Sequence, residues 1–242
     1  ACAYLDRNCR IAIILGTGTN ISILVPVSWI KKAAGEYKEE FMIINLESGN
    51  FNRELPRTRY DIQLDEESGN PQAHWEEKMV SGKYLGEVSR LILIDLIQKG
   101  LLFGGKVPNA LREKECFQAA YMSRIEKGGF LNNLWMRKLF GRPFASSSEL
   151  EAVRQICSAV SLRSARVSAA VLSGAVEYID AGLTRLQTIA VDGSLFSKYH
   201  RYPQMMQDAF QEIFGIKSTF ISLKPTSDGS GIGAAIIASR LA

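Results

Sequence analysis

Three short glycine-rich stretches and two carboxylates carry the chemistry that this sequence can offer. Gly16-Thr17-Gly18-Thr19-Asn20 stands between two apolar, β-branched runs. Backbone N–H groups freed by glycine can cradle phosphate oxygens, and the Thr17 hydroxyl adds a donor. The stretch is not a dinucleotide fingerprint, which needs a third Gly or Ala where Ile21 stands and a helix after it. Nor is it a Walker loop, because no Gly-Lys-Ser/Thr ends it. Taken alone, it fits a hairpin turn as well as a phosphate cradle. Asp192-Gly193-Ser194 follows a later apolar run, and Asp228-Gly229-Ser230-Gly231 precedes an alanine-rich segment. A glycine-rich helix start presents unpaired N–H groups and a positive dipole end to a phosphate. Glu47 ends the run Asn45-Leu46-Glu47, and Glu77 lies just past Trp75. Two such carboxylates can accept hydrogen bonds from sugar hydroxyls. Solvated surface positions, with Glu77 favouring its own helix N-terminus, are the plainer reading of the two residues by themselves.

Strands and helices must hold these residues. Residues 11–15 and 21–25 read as a hairpin around 16–20, and 41–46 as a third strand. Residues 48–72 are polar, carry Gly, Asn and Pro, and read as loop. Met79, Tyr84, Val88, Leu91 and Leu96 give residues 75–99 a helical pattern that Gly100 ends. Ser148 with Glu151 reads as a capping box for a long helix to about Asp180, and its Ala and Ser content predicts close packing. Residues 186–191 and 218–223 read as strands, 204–214 and 229–242 as helices. Residues 126–147 read as an irregular surface excursion. Strands that start as a hairpin and later alternate with helices predict an α/β protein with a mixed sheet.

Composition narrows the function classes. The 242 residues hold 29 Lys+Arg against 25 Asp+Glu, a net charge of +4, with 46% hydrophobic and 22% charged residues. These are globular values, which exclude a disordered tail, a collagen-like fibre and a coiled coil. The length allows one large domain or two small ones, with a core that needs no staples. So small a basic surplus, without a basic run, argues against a nucleic-acid partner. Cys2, Cys9, Cys116 and Cys157 form no CxxC pair, and His74 and His200 lie far apart. Reduced thiols in a cytoplasmic protein, with no metal site, is the reading that follows. No apolar stretch reaches the roughly 18 residues of a membrane span. The first residues carry charges where a signal peptide needs an apolar core. They lack an initiating Met, and the chain opens as if cut from something longer.

In order along the chain, these pieces resemble the hexokinase family of eukaryotes, most closely its fungal members. AYLD (3–6), IAIILGTGTN (11–20), INLESGNF (44–51), LPRTRYD (55–61), LDEESGNP (64–71) and EKMVSGKYLGE (77–87) follow the family order. Residues 121–126, VDGSLF (191–196) and DGSGIGAA (228–235) complete it. The resemblance implies an actin/Hsp70/hexokinase-type fold, a ribonuclease-H-like mixed sheet flanked by helices, with residues 1–242 as the C-terminal large lobe. It implies that Asn20, Glu47 and Glu77 bind the sugar hydroxyls. Gly16, Thr17 and Gly18 match the turn at the nucleotide phosphates, and Gly82, Lys83 and Ser123 match positions lining the ATP site. Asp192, Gly193 and Ser194 match the adenosine motif, and Gly229 the glycine turn beside the adenine. ATP is implied as co-substrate, with Mg²⁺ held mainly by its phosphates.

The departures from the family pattern set further expectations. Ala119 replaces a threonine near the nucleotide, Gln72-Ala73-His74 replaces Gly-Gln-Gln beside Glu77, and Ile21-Ser22 follows Asn20 in place of small residues. Glucose, a related hexose or N-acetylglucosamine is the expected sugar. A catalytically impaired regulatory or sugar-sensing protein is the alternative, and the sugar-contacting set argues against an actin- or Hsp70-like ATPase. Family members are roughly twice as long, and their upstream half carries the LGGTN-like loop and the aspartate of an NDT segment. Neither segment occurs here. The resemblance therefore implies a missing N-terminal lobe that supplies the general base, and negligible kinase activity for this chain alone.

Overall fold

The β-branched runs form five strands: β1 (Cys9–Leu15), β2 (Thr19–Pro26), β3 (Phe41–Asn45), β4 (Gln187–Asp192) and β5 (Ile221–Thr226). The computed structural model describes residues 2–32, 37, 39–141 and 145–241. The strands lie in the order β3-β2-β1-β4-β5. β1 pairs antiparallel with β2, and β2 with β3, whereas β1–β4 and β4–β5 are parallel. This is the expected mixed sheet. Ile11, Ile13, Leu15, Ile21, Ile23 and Val25 alternate into the core, as the period of two requires.

The helices are α1 (Cys2–Leu5), α2 (Arg59–Glu66), α3 (Trp75–Val80), α4 (Gly82–Gln98), α5 (Ala119–Lys127), α6 (Phe130–Leu139), α7 (Ser147–Ile179), α8 (Ser194–Lys198), α9 (Tyr202–Phe214) and α10 (Gly229–Leu241). α7 packs on β1 and β2 and carries α4, α5 and α9 along its length. Its buried Ser161, Ser164, Ala165, Ser168 and Ala169 bring those neighbours close, as the small residues predicted. Each fully buried Leu, Ile or Phe of this layer contributes roughly 1.5–3 kcal/mol relative to exposure.

Several local readings are corrected. Residues 48–72 are not all loop, because Thr58 donates its N–H (2.7 Å) and hydroxyl (2.6 Å) to Asp61 and starts α2. Residues 126–147 complete α5 and form α6, separated by Gly128 and Gly129, both at positive φ. Residues 142–144 of that segment, and Ala242 of the segment read as 229–242, lie outside the described residues. The cap of α7 is Ser146 with Glu149 rather than Ser148 with Glu151: the Glu149 N–H donates to Ser146 Oγ at 3.1 Å, and the Ser146 N–H to Glu149 Oε2 at 2.8 Å. The last strand starts at Ile221, because residues Gly215–Phe220 wind as a 3-10 turn. The helix read over 75–99 is broken at Ser81, which is extended (φ −78°, ψ 148°).

Candidate functional site

That break is what builds the site. Ser81 turns the chain so that Gly82 opens α4 with its N–H aimed at the Gly16 carbonyl, 2.8 Å away. The turn itself closes with the Gly16 N–H on the Gly18 carbonyl at 3.0 Å. β4 ends beside it at Gly193, whose φ of +117° and whose position suit only glycine: a Cβ there would lie 2.2 Å from the Leu15 carbonyl oxygen. Gly16, Thr17, Gly82, Lys83, Ser123 and Ser194 thus line one open cavity of about 520 Å³. Ser123 Oγ accepts the His200 N–H at 2.8 Å, which leaves its own proton to donate. Lys83 and Lys198 both reach this cavity. Backbone amides, hydroxyls and two ammonium groups on one concave surface suit phosphate oxygens.

Glu77 is bonded beside the same turn, whereas Glu47 lines a separate cavity of about 880 Å³ with Ser48 and Tyr178. Thr19 donates its N–H to Glu77 Oε2 at 3.2 Å. Gly18 and Gly49 make room for that carboxylate: a Cβ on Gly18 would fall 2.7 Å from Glu77 Oε2, and one on Gly49 3.3 Å from Glu77 Cβ. Asn20 Oδ1 accepts the N–H groups of Ile21 (2.8 Å) and Ser48 (3.1 Å). Its Nδ2 donates to Asn45 Oδ1, and Asn45 Nδ2 donates to Glu47 Oε1. Glu47 is held in the left-handed region at φ 51°. Asn20, Glu47 and Glu77 are therefore brought together through Thr19, Asn45 and Ser48.

Asp192 and Gly229 lie elsewhere. Asp192 Oδ2 accepts the Gly229 N–H at 3.0 Å and fastens the start of α10 to the end of β4. Both line a second cavity of about 440 Å³ along the face of the sheet, with Asn20 and Asn45. Thr17 and Lys83 are not part of that lining.

Sequence reasoning missed Lys198, Asn45 and Glu76. Lys198 follows Ser194 by four residues, one turn along α8, which is a usable signal. Asn45 lies inside the Asn45-Leu46-Glu47 run itself. Glu76 gave no signal, since a second glutamate in a first helical turn reads as solvated. It is fully buried instead. Among the described residues, no three His, Cys, Asp or Glu side chains gather as a metal-binding group. No helix among them is long and apolar enough to cross a membrane.

Backbone amides and lysines gathered at the carboxyl ends of parallel strands are an arrangement that one class of α/β proteins uses to hold phosphate groups. Within that class, the hexokinase family model matches residues 10–240, and the chain belongs to the hexokinase family. It is 36% identical over 245 residues to the human hexokinase HKDC1, covering 98% of this chain and 26% of the relative. It is 35% identical to the hexokinase of Kluyveromyces lactis, covering 98% of this chain and 52% of the relative. The solved hexokinase of Schistosoma mansoni complexed with glucose superimposes with a TM-score of 0.87 at 32% identity, over 99% of this chain and 55% of that one. The fold is thus the hexokinase type that the motifs implied. Near-equal identities to human and yeast relatives give no preference to fungal members. The chain spans about half the length of most of the curated relatives it matches, and a quarter of the human one.

Proposed function

We propose that residues 1–242 form the large, nucleotide-holding lobe of an ATP-dependent hexose kinase that transfers the γ-phosphoryl group to a sugar 6-hydroxyl. The observation that carries this reading is the meeting of the 16–18 turn, the start of α4 and Ser194 around one cavity, with Glu77 bonded to the strand that leaves the turn. Phosphoryl transfer asks mostly for positioning and charge stabilisation, which these groups supply. Thr17, Ser123 and the amides at the cavity bind the phosphates, and Lys83 and Lys198 offset their charge. Glu47 and Glu77 accept hydrogen bonds from the sugar hydroxyls, and the Asn20–Asn45 pair fixes Glu47 in place. Mg²⁺ would be held mainly by the phosphates of ATP and would offset their charge there, a mode of binding that needs few protein ligands. The general base belongs to a segment outside these residues, because no Asn-Asp-Thr run occurs among them. Glucose is the first sugar to test, as the ligand of the Schistosoma mansoni structure. The reading places the reaction in the cytosol, at the entry to hexose breakdown.

The test is direct. The purified chain is expected to bind glucose and a non-hydrolysable ATP analogue by calorimetry, and to form sugar 6-phosphate at a negligible rate. Turnover at an ordinary enzymatic rate would overturn the assignment of the base to another segment. Failure to bind either ligand would overturn the site. A sensing role without turnover is the second reading, favoured by Ala119, which removes a hydroxyl from the cavity wall.

A further inference from the structure

Glu76 has no role in the mechanism above, yet it is the most unusual acid in the molecule. Its side chain is 0% exposed. Among the described residues, neither of its carboxyl oxygens has a hydrogen-bond partner. Its backbone is fixed, with its N–H on the Phe51 carbonyl at 3.2 Å. The next residue is Glu77, whose carboxylate holds the Thr19 N–H beside the phosphate turn.

A buried, unpaired carboxylate is so costly that the group takes up a proton instead. α3 packs against α2, α4, α7, β2 and the turn Ser48–Asn50, so the charged groups on these elements matter. Lys78 is committed to Asp65 of α2 at 2.6 Å, and Arg163 of α7 to Asp61 of α2 at 2.7 Å. Arg90 of α4 pairs with Glu87 at 2.6 Å. Glu47, before the turn, is held by Asn45. The titratable groups whose fields couple to Glu76 are Glu77 on its own helix and Tyr202 of α9. Tyr202 in turn is hydrogen-bonded to Ser164, 2.7 Å away. Among the described residues, no cation compensates Glu76. Burial first, and the neighbouring Glu77 second, push its carboxyl up to about 8.

We propose that Glu76 is a positioning residue, held as a neutral acid behind the sugar-contacting Glu77, and that its ionisation disrupts the Glu77–Thr19 contact and ends sugar binding on the alkaline side. The proposal rests on the assignment of Glu77 to the sugar. Loss of the proton to solvent places a second negative charge inside α3, next to Glu77. The helix then shifts to hydrate that charge, and the opening between Gly18 and Gly49 that admits Glu77 leaves little room for displacement.

The experiment follows the Thr19 amide resonance and glucose affinity from pH 6 to 9.5 in the purified chain and in Glu76→Gln and Glu76→Met. In the parent, the Thr19 amide shift is expected to titrate with a midpoint near 8. Glucose affinity should fall about tenfold between pH 7 and 9, as one proton coupled to binding requires. Glu76→Gln, which cannot ionise, should flatten both curves. Glu76→Met tests the same with an apolar side chain, should the buried amide disturb folding. A Thr19 amide that does not titrate in the parent, or that titrates unchanged in a folded variant, overturns the proposal. Glucose affinity that holds level to pH 9.5 in a chain that binds the sugar overturns it too. A chain that binds no glucose at any pH while the Thr19 amide still titrates through Glu76 refutes the sugar site instead, so the two failures are distinguishable.

Discussion

Gly82 donates its backbone N–H to the carbonyl oxygen of Gly16 at 2.8 Å, and through this bond the first turn of the sheet is fastened to the first turn of α4. The two residues lie far apart in sequence, yet their contact sets Thr17 and Lys83 on the same cavity wall. It exists because α3 stops at Ser81. A continuous helix would have sent the Gly82 N–H back to its own fourth-preceding carbonyl.

Gly86 gives a test of how tightly α4 is seated. Helix propensity alone says that Gly86→Ala gains about 1 kcal/mol. The structure says the reverse, because a Cβ on Gly86 would lie 1.7 Å from the Phe117 carbonyl oxygen. We expect a loss of about 2–3 kcal/mol in equilibrium unfolding, from overpacking against backbone. Gly69→Ala, with nothing within 4 Å of the added methyl, should stay within about 0.5 kcal/mol. Equal stability of Gly86→Ala and its parent would contradict the described approach.

Lys78 and Asp65 form a buried pair at 2.6 Å beneath α3. Burial opposes the charge on Asp65, but Lys78, the Gln72 N–H and Arg57 together hold its carboxyl below the ordinary carboxylate range. A carboxylate held lower in the folded state stabilises above its unfolded pKa, and that stability is lost as pH falls through the folded value. Lys78→Met should cost about 3 kcal/mol at pH 7, the penalty of a buried charge left with a weaker partner. It should also shrink the loss of stability between pH 5 and 2, which urea titrations at stepped pH would show.

Ala119 stands on the wall of the cavity beside the 16–18 turn, at the start of α5. Ala119 is half-buried against the core, and Ala119→Thr adds a hydroxyl at the cavity wall. Binding of a non-hydrolysable ATP analogue should tighten about two- to tenfold, the worth of one added hydrogen bond. Glucose affinity should not change. An unchanged nucleotide affinity in calorimetry would mean that the phosphates do not pass Ala119.

The cap of α7 separates two neighbouring serines. Ser146→Ala removes the oxygen that accepts the Glu149 N–H and should cost about 1 kcal/mol. Ser148→Ala loses only a hydroxyl contact to Ser146 at 3.0 Å and should be near neutral. Equal losses in thermal unfolding would reject the assignment of the cap.

Much of this molecule was written locally. Alternating Ile and Val in 11–15 and 21–25, with glycines between, could bury one face only as a hairpin, and β1 and β2 are that hairpin. The small residues of 147–179 announced a closely packed helix before its neighbours were known. The site motifs were legible for the same reason: glycine turns and strand-end carboxylates depend on residues a few positions apart. Tertiary structure decided the rest. The break at Ser81 frees the Gly82 N–H for the Gly16 carbonyl, a contact that no local pattern shows, and the helices α2 and α6 lie in segments whose Gly, Asn and Pro read as loop or excursion. Asp192 turned to Gly229, because a strand end and a helix start met there. Above all, nothing in the order Trp75-Glu76-Glu77 said that Glu76 would be fully buried. Helix position offers both glutamates a first-turn site; only the packing of α3 against the sheet and α7 takes water from Glu76 and leaves Glu77 half-buried against the Thr19 N–H.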